Sequence, residues 1–423
     1  MFEKLEKIWK TKDLRHSILF VLVMLVIFRI AAHVPIPGID ASGLREFFGQ
    51  NQILGLLNIF SGGGLENFSI VMLGIGPYIT ASIIFQLLAM IVPALEAMSK
   101  DPMGQQKINQ YTRILTVPLA ILQGYGFINL LQRQAGNVLQ QLNATQWVTA
   151  MITITAGTIF LMWIGELISE RKIGNGISLL IFAGIVSRLP LTVQQTFAVF
   201  DASQLVNLLI FVAIALVTVA LVVVITEAQR NIPVSYAKRI RGNKMYGGVN
   251  THLPLRVNMA GVIPIIFAIS LILFPPMVAQ FFVNASASWL QEVSRFIINL
   301  FQNQVFYGVI YFVLVFAFTY FYTYIIFHPT QISENLQKQG GFIPGIRPGR
   351  HTSDYLQQTV NRIMLAGALF LAVIAILPIV IQPLTGTKTL VVGGTSLLIV
   401  VAVVIETVKQ IDSQLTMRDY EGL

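Results

Sequence analysis

The sequence contains no cysteine. That excludes disulfides, thiolate metal sites and a cysteine nucleophile, so the compartment has to be read from charge instead. Charge is scarce too: 11% of the 423 residues are Asp, Glu, Lys or Arg, where soluble domains carry about a quarter. Catalytic signatures are missing as well. There is no G-x-x-x-x-G-K-[ST], no H-E-x-x-H and no G-x-S-x-G, and the histidines (His16, His33, His252, His328, His351) are scattered near span ends or in loops. "GNGIS" at 174–178 has the glycines of a phosphate loop without its lysine, and reads better as close approach at a helix start. ATP hydrolysis, metal catalysis and acyl transfer have no support, and no cofactor is expected.

What the chain does have is apolar length. It is 55% hydrophobic, with a mean hydropathy of +0.72. A bilayer core needs about 20 apolar residues per helical span. Ten stretches meet or approach that, near 17–36, 68–92, 113–131, 147–168, 176–197, 205–227, 257–282, 305–327, 361–383 and 390–408. Water is absent from the core, so backbone groups there must be satisfied within the segment, and segments of this length must be helices. The expectation is an all-α, polytopic membrane bundle of ten helices, with the first span retained rather than cleaved.

An even number of spans puts both termini on one side. All but six of the 28 Lys and Arg (the six being Arg29, Arg45, Arg133, Arg188, Arg295 and Lys388) fall in one set of segments, and the positive-inside rule makes that side cytoplasmic. The carboxylates Glu166, Glu227 and Glu406 fall at cytoplasmic helix ends, where water and nearby basic residues can satisfy them. The net charge of +9 is partly this bias and partly attraction to anionic lipid. Two inner loops, 227–256 and 328–362, exceed what topology needs, since helix connections usually take about two to eight residues and longer ones are functional or disordered. Interleaved Arg, Lys and aromatics make them docking surfaces for nucleic acid or for an acidic protein face.

Internal repeats are more informative. "GIGPYI" at 74–79 and "GVIPII" at 261–266 share G-x-x-P with isoleucine two residues on, while "GISLLI" at 176–181 and "GTSLLI" at 394–399 share G-x-S-L-L-I. Spans two and seven match, and so do five and ten, as two halves of five spans demand. Because five is odd, the halves are inverted about an axis in the membrane plane. The halves are 1–200 and 201–423. Their symmetry selects Ile79, Ile181, Ile266 and Ile399, all near mid-depth, and Ile75 and Ile83 extend the stripe on span two at i, i+4 spacing.

The segments "NIFSGGGLENFS", "LGIGPYITASII", "ERKIGNGISLLIFAGIV", "THLPLRVNMAGVIPIIF", "GGFIPGIRPG", "GGTSLLIVV" and "MRDYEGL" occur in order along nearly the whole chain. On these the chain resembles the SecY family, bacterial channels for polypeptides. Two departures are visible: Gly76 stands where methionine is expected, and Gly64 where alanine is.

The resemblance implies a plug within 58–68 (Ser61, Gly62, Gly63, Gly64, Leu65, Glu66, Asn67 and Phe68) that folds back into the outer funnel. Leu65 and Phe68 would rest on the isoleucine ring, with Glu66 and Asn67 facing the wet funnel. It implies that Ile75, Ile79, Ile83, Ile181, Ile266 and Ile399 line the pore, and that a lateral gate opens between spans two and seven, near Thr80 and Phe274. It makes Arg239, Arg241, Lys244, Arg347 and Arg350 the docking residues for the SecA ATPase or the ribosome. The implied partners are SecE and SecG in the membrane, with signal peptides, nascent polypeptides and lipid, and the implied location is the bacterial plasma membrane. A secondary transporter of the same inverted topology would instead need a polar site at mid-membrane, where this chain has isoleucine. A membrane-embedded enzyme would need convergent acids, bases or metal ligands, and none are found.

Overall fold

The computed structural model describes residues 2–37, 44, 58, 61–134, 143–190, 194, 205–236, 239–241, 244–246, 250–283, 287–385 and 393–421. Helices occupy part of each of the ten stretches expected to span. Among the described residues four helical segments, Lys12–Ala31, Ala144–Glu170, Gln304–Lys338 and Arg350–Leu377, are by length and hydropathy able to cross a membrane, and the bent pair Gly76–Ile91 with Pro93–Lys100 makes a fifth.

After a short N-terminal helix α1 (Phe2–Lys10), α2 (Lys12–Ala31) leaves Leu19, Leu22, Val23, Val26 and Ile30 exposed, the apolar face that lipid requires. α3 (Gly76–Ile91) and α4 (Pro93–Lys100) meet at a bend of 108°. The bend has a local cause: proline disfavours helical dihedrals in the residue before it, and Val92 is extended at φ −101°, ψ 109°. α5 (Pro102–Gln134) packs on α3, with Gln123 Nε2 donating to Thr80 Oγ1 at 3.3 Å.

α6 (Ala144–Glu170) starts at a capping box made by Asn143 and Gln146, which satisfies two otherwise orphaned N–H groups. Its other end carries an ion pair, Arg113 to Glu166 at 2.6 Å, so that carboxylate is satisfied as its position suggested. α7 (Gly176–Val186) is capped by Asn175, whose Oδ1 accepts from Ile177 N and Ser178 N. A Cβ at Gly176 would overlap the Gly165 carbonyl, and Gly176 N donates to Ser169 Oγ at 2.9 Å. The glycines of "GNGIS" therefore serve close helix contact, the role small residues play between membrane helices.

The chain divides into two compact units. One comprises Met1–Val206, Ile269–Tyr307 and Val403–Leu423, the other Asn207–Ala268 and Gly308–Ala402. The second unit holds α8 (Leu205–Glu227, from Asn207 on), the start of α9 (Ile263–Phe282) and most of α11 (Gln304–Ile326), with α10 (Ser288–Gln302) belonging to the first. It also holds α12 (Pro329–Lys338), α13 (Arg350–Thr385) and the start of α14 (Gly393–Glu421).

The bundle is helical, as expected, but the second unit adds a small sheet that was not. β1 (Gln229–Tyr236) pairs antiparallel with β4 (Asn250–Arg256), from Gln229↔Arg256 to Ser235↔Asn250, and with β5 (Gly341–Phe342) through Ser235↔Phe342 and Tyr236↔Gly341. Strands β2 (Arg239–Arg241) and β3 (Lys244–Tyr246) form a separate hairpin. The inner face of the larger sheet, Ile232, Val234 and Leu255, is buried with Ile343, Leu356 and Val360. The two basic loops are thus parts of one folded layer.

Candidate functional site

Residues 61–68 form a series of turns docked beside the first span. Ile36 N donates to Phe68 O and Ile70 N to Val34 O, both at 3.0 Å, with Pro35 bridging Ser69. The glycines make this possible: Gly62 and Gly63 have φ of 67° and 85°, a region side chains rarely enter. A Cβ on Gly62 would also lie 2.7 Å from Phe28 Cζ.

Leu65 and Phe68 are buried, at 2% and 0% exposure. Their surroundings differ from the expectation. The cluster that holds them comprises Ile36, Leu44, Met72, Phe127, Ile128, Leu131, Ala150 and Ile154. Among the described residues it includes none of the six isoleucines assigned to the ring. The segment is therefore anchored sideways, on α5 and α6, and fully burying each side chain contributes about 1.5–3 kcal/mol.

Glu66 also departs from the expectation of a wet, outward carboxylate. Its side chain is 20% exposed and ion-paired with Arg188, while Asn58 Nδ2 donates to Glu66 Oε2 at 2.8 Å and Glu66 N donates to Asn58 Oδ1 at 3.1 Å. Arg29, in the last turn of α2, donates to the Gly62 carbonyl. Asn67 Nδ2 donates to Ala32 O at 3.4 Å. Asn58, Arg29 and Arg188 were not singled out from sequence for this site. The available signal was that Arg29 and Arg188 are exceptions to the charge bias.

Ile75, Ile79, Ile83 and Ile181 lie in the first unit and Ile266 and Ile399 in the second, and all six are buried. The paired motifs also share local structure. Gly74 and Gly261 both have positive φ, 58° and 64°, and each stands two residues before its helix, α3 or α9. Ser178 and Ser396 are equally buried, as are Leu180 and Leu398. Of the gate positions, Thr80 donates to Gly76 O at 3.0 Å and Phe274 is half-buried.

On the loops, Arg347 and Arg350 are exposed. Arg347 sits on a turn flanked by Gly345 and Gly349, at φ 83° and 92°, and its carbonyl accepts from Thr352 Oγ1 at 2.9 Å. Ser333 Oγ donates to Gly349 O at 2.6 Å, and Ile343 and Ile346 fix the turn to the core beneath. Arg239, Arg241 and Lys244 belong to the β2–β3 hairpin, where Arg241 pairs in register with Lys244. Among the described residues no group of three or more His, Asp or Glu could hold a metal ion.

A chain with several apolar helices and a segment folded back beside the first of them is a multi-pass helical membrane protein. It matches SecY over residues 69–408. The chain belongs to the SecY family. The Protein translocase subunit SecY of Streptomyces scabiei is 44% identical over 438 positions, covering 100% of this chain and 99% of the relative. Among solved structures, one of a SecY protein whose plug domain stabilises the closed state of the translocation channel and maintains a membrane seal covers 93% of this chain and 90% of that one, at TM-score 0.64 and 17% identity. Sec61 in the canine ribosome–channel complex has the same coverage, at TM-score 0.60 and 16% identity.

Proposed function

We propose that this chain is the channel subunit of a protein translocase, passing unfolded polypeptides across the membrane and releasing transmembrane segments sideways into lipid. The observation that supports the reading is the folded-back segment 61–68, docked against α2, α5 and α6 in a chain of the SecY family. In this reading the segment is the plug, and residues 1–200 and 201–423 are inverted halves of five spans each.

Ile75, Ile79, Ile83, Ile181, Ile266 and Ile399 form the constriction. A channel for unfolded chains must admit every side chain and bind none, yet resist ions when idle. A narrow apolar ring sheds water and raises a barrier to ions, while isoleucine side chains yield to a chain of varying width. Thr80 and Phe274 line the lateral exit.

Energy comes from outside the chain. Arg239, Arg241 and Lys244, on the β2–β3 hairpin, and Arg347 and Arg350, on the second basic loop, receive the SecA ATPase or the ribosome. SecE and SecG are the membrane partners. The location is the bacterial plasma membrane, with both termini cytoplasmic.

The test is to stall a translocating polypeptide and cross-link it from positions 79, 181, 266 and 399. Cross-links from all four to the same stretch of substrate are expected. Substrate captured from none of them overturns the channel reading.

A further inference from the structure

The re-entrant segment contains one acid, Glu66. Its carboxylate meets Arg188, immediately beyond the C-terminal end of α7, and also Asn58. Arg29 holds the same segment from α2, through the Gly62 carbonyl. The side chains of Glu66 and Arg188 are 20% and 22% exposed. Salt screens a pair at that depth far less than one on the surface, and removing one partner strands the charge of the other. Topology does not account for these arginines, since both lie on the side that is otherwise poor in basic residues.

Apolar contacts from Leu65 and Phe68 would hold the segment wherever its neighbours allowed a snug fit. An ion pair is different: it ties retention to the position of one particular group. We propose that Glu66 and Arg188 form a latch between the segment and the C-terminal end of α7, so that displacement of α7 withdraws Arg188 and releases the seal. Glu66 and Arg188 are positioning residues, acting on the channel through the segment they hold. Once apart in the aqueous funnel both ions are rehydrated, so the released state contains no stranded charge. The proposal rests on the plug reading of residues 61–68.

The experiment measures resting ion conductance in planar bilayers for the channel reconstituted with its membrane partners. The variants are Glu66→Gln, Arg188→Gln, the exchange Glu66→Arg with Arg188→Glu, and deletion of 61–66. Each single variant should raise resting open probability about tenfold, as expected for breaking a partly buried pair. The exchange should bring it back to within about threefold of the parent, because the pairwise term is restored. If the single variants conduct like the parent while the deletion leaks, the latch is wrong and the plug reading stands. If the deletion does not leak, the plug reading itself fails. An exchange that leaks as much as either single variant, with unchanged protease resistance, also overturns the latch.

Discussion

Gly157, midway along α6, lies so close to Ile70 that a Cβ would overlap the Ile70 carbonyl. The chain leaving the re-entrant segment is therefore pressed against the backbone of α6. Gly157→Ala should lower stability by about 1–3 kcal/mol, the usual cost of overpacking. Thermal unfolding in detergent measures it. Gly76→Ala is the control: its Cβ would meet only Gln123 Oε1, at 3.8 Å, and the melting temperature should not fall.

Serine or asparagine in place of Ile79, Ile181, Ile266 or Ile399 should hydrate the constriction and raise resting ion leakage. Each change also forfeits about 1.5–3 kcal/mol of buried apolar contact, so expression has to be matched before conductances are compared. Unchanged leakage in all four variants would remove the ring.

Cysteines at Thr80 and Phe274 would face no competition, since the chain has none of its own. Thr80→Cys gives up hydrogen bonds to Gly76 O and Gln123, each contributing about 0.5–1.5 kcal/mol, which a folded protein tolerates. A short thiol cross-link is expected to block export, and a longer one to restore part of it. Absence of any cross-link in the closed state would displace the gate from these residues.

Arg239 and Arg241 changed together to glutamate should weaken ribosome binding in a strongly salt-dependent way, because salt screens attraction between solvated charges over roughly 8 Å at physiological ionic strength. Arg347→Glu should block ATPase-driven export instead. Its turn is held through the backbone, by Thr352 on the Arg347 carbonyl, so assembly with membrane partners should survive. Equal loss of both activities in both variants would indicate misfolding.

The helices were legible because the bilayer allows few alternatives to a long apolar run. The paired motifs were legible for a related reason: a left-handed glycine at 74 and at 261 requires the same residue type. The anchoring of Leu65 and Phe68 was not. Phe127, Ile128, Leu131, Ala150 and Ile154 come from spans that are apolar on nearly every face, so periodicity does not distinguish a side turned to protein from one turned to lipid. Glu66 and Arg188 are separated by 122 positions, beyond any local pattern. The sheet was hidden by Pro233, which argues against an inner strand. The structure accommodates it because β5 reaches only Ser235 and Tyr236.

The pairing of β1 with β5 also bears on how the two basic loops can vary. Side chains alternate along a strand, so a slip of one residue in either loop would turn Ile232 and Val234 out of the core they share with Ile343, Leu356 and Val360. A loop grafted from a relative has to bring its paired counterpart with it. The registers of β1, β4 and β5 thus constrain the two basic loops jointly, and an insertion within either paired stretch would break the shared core while one outside it would not.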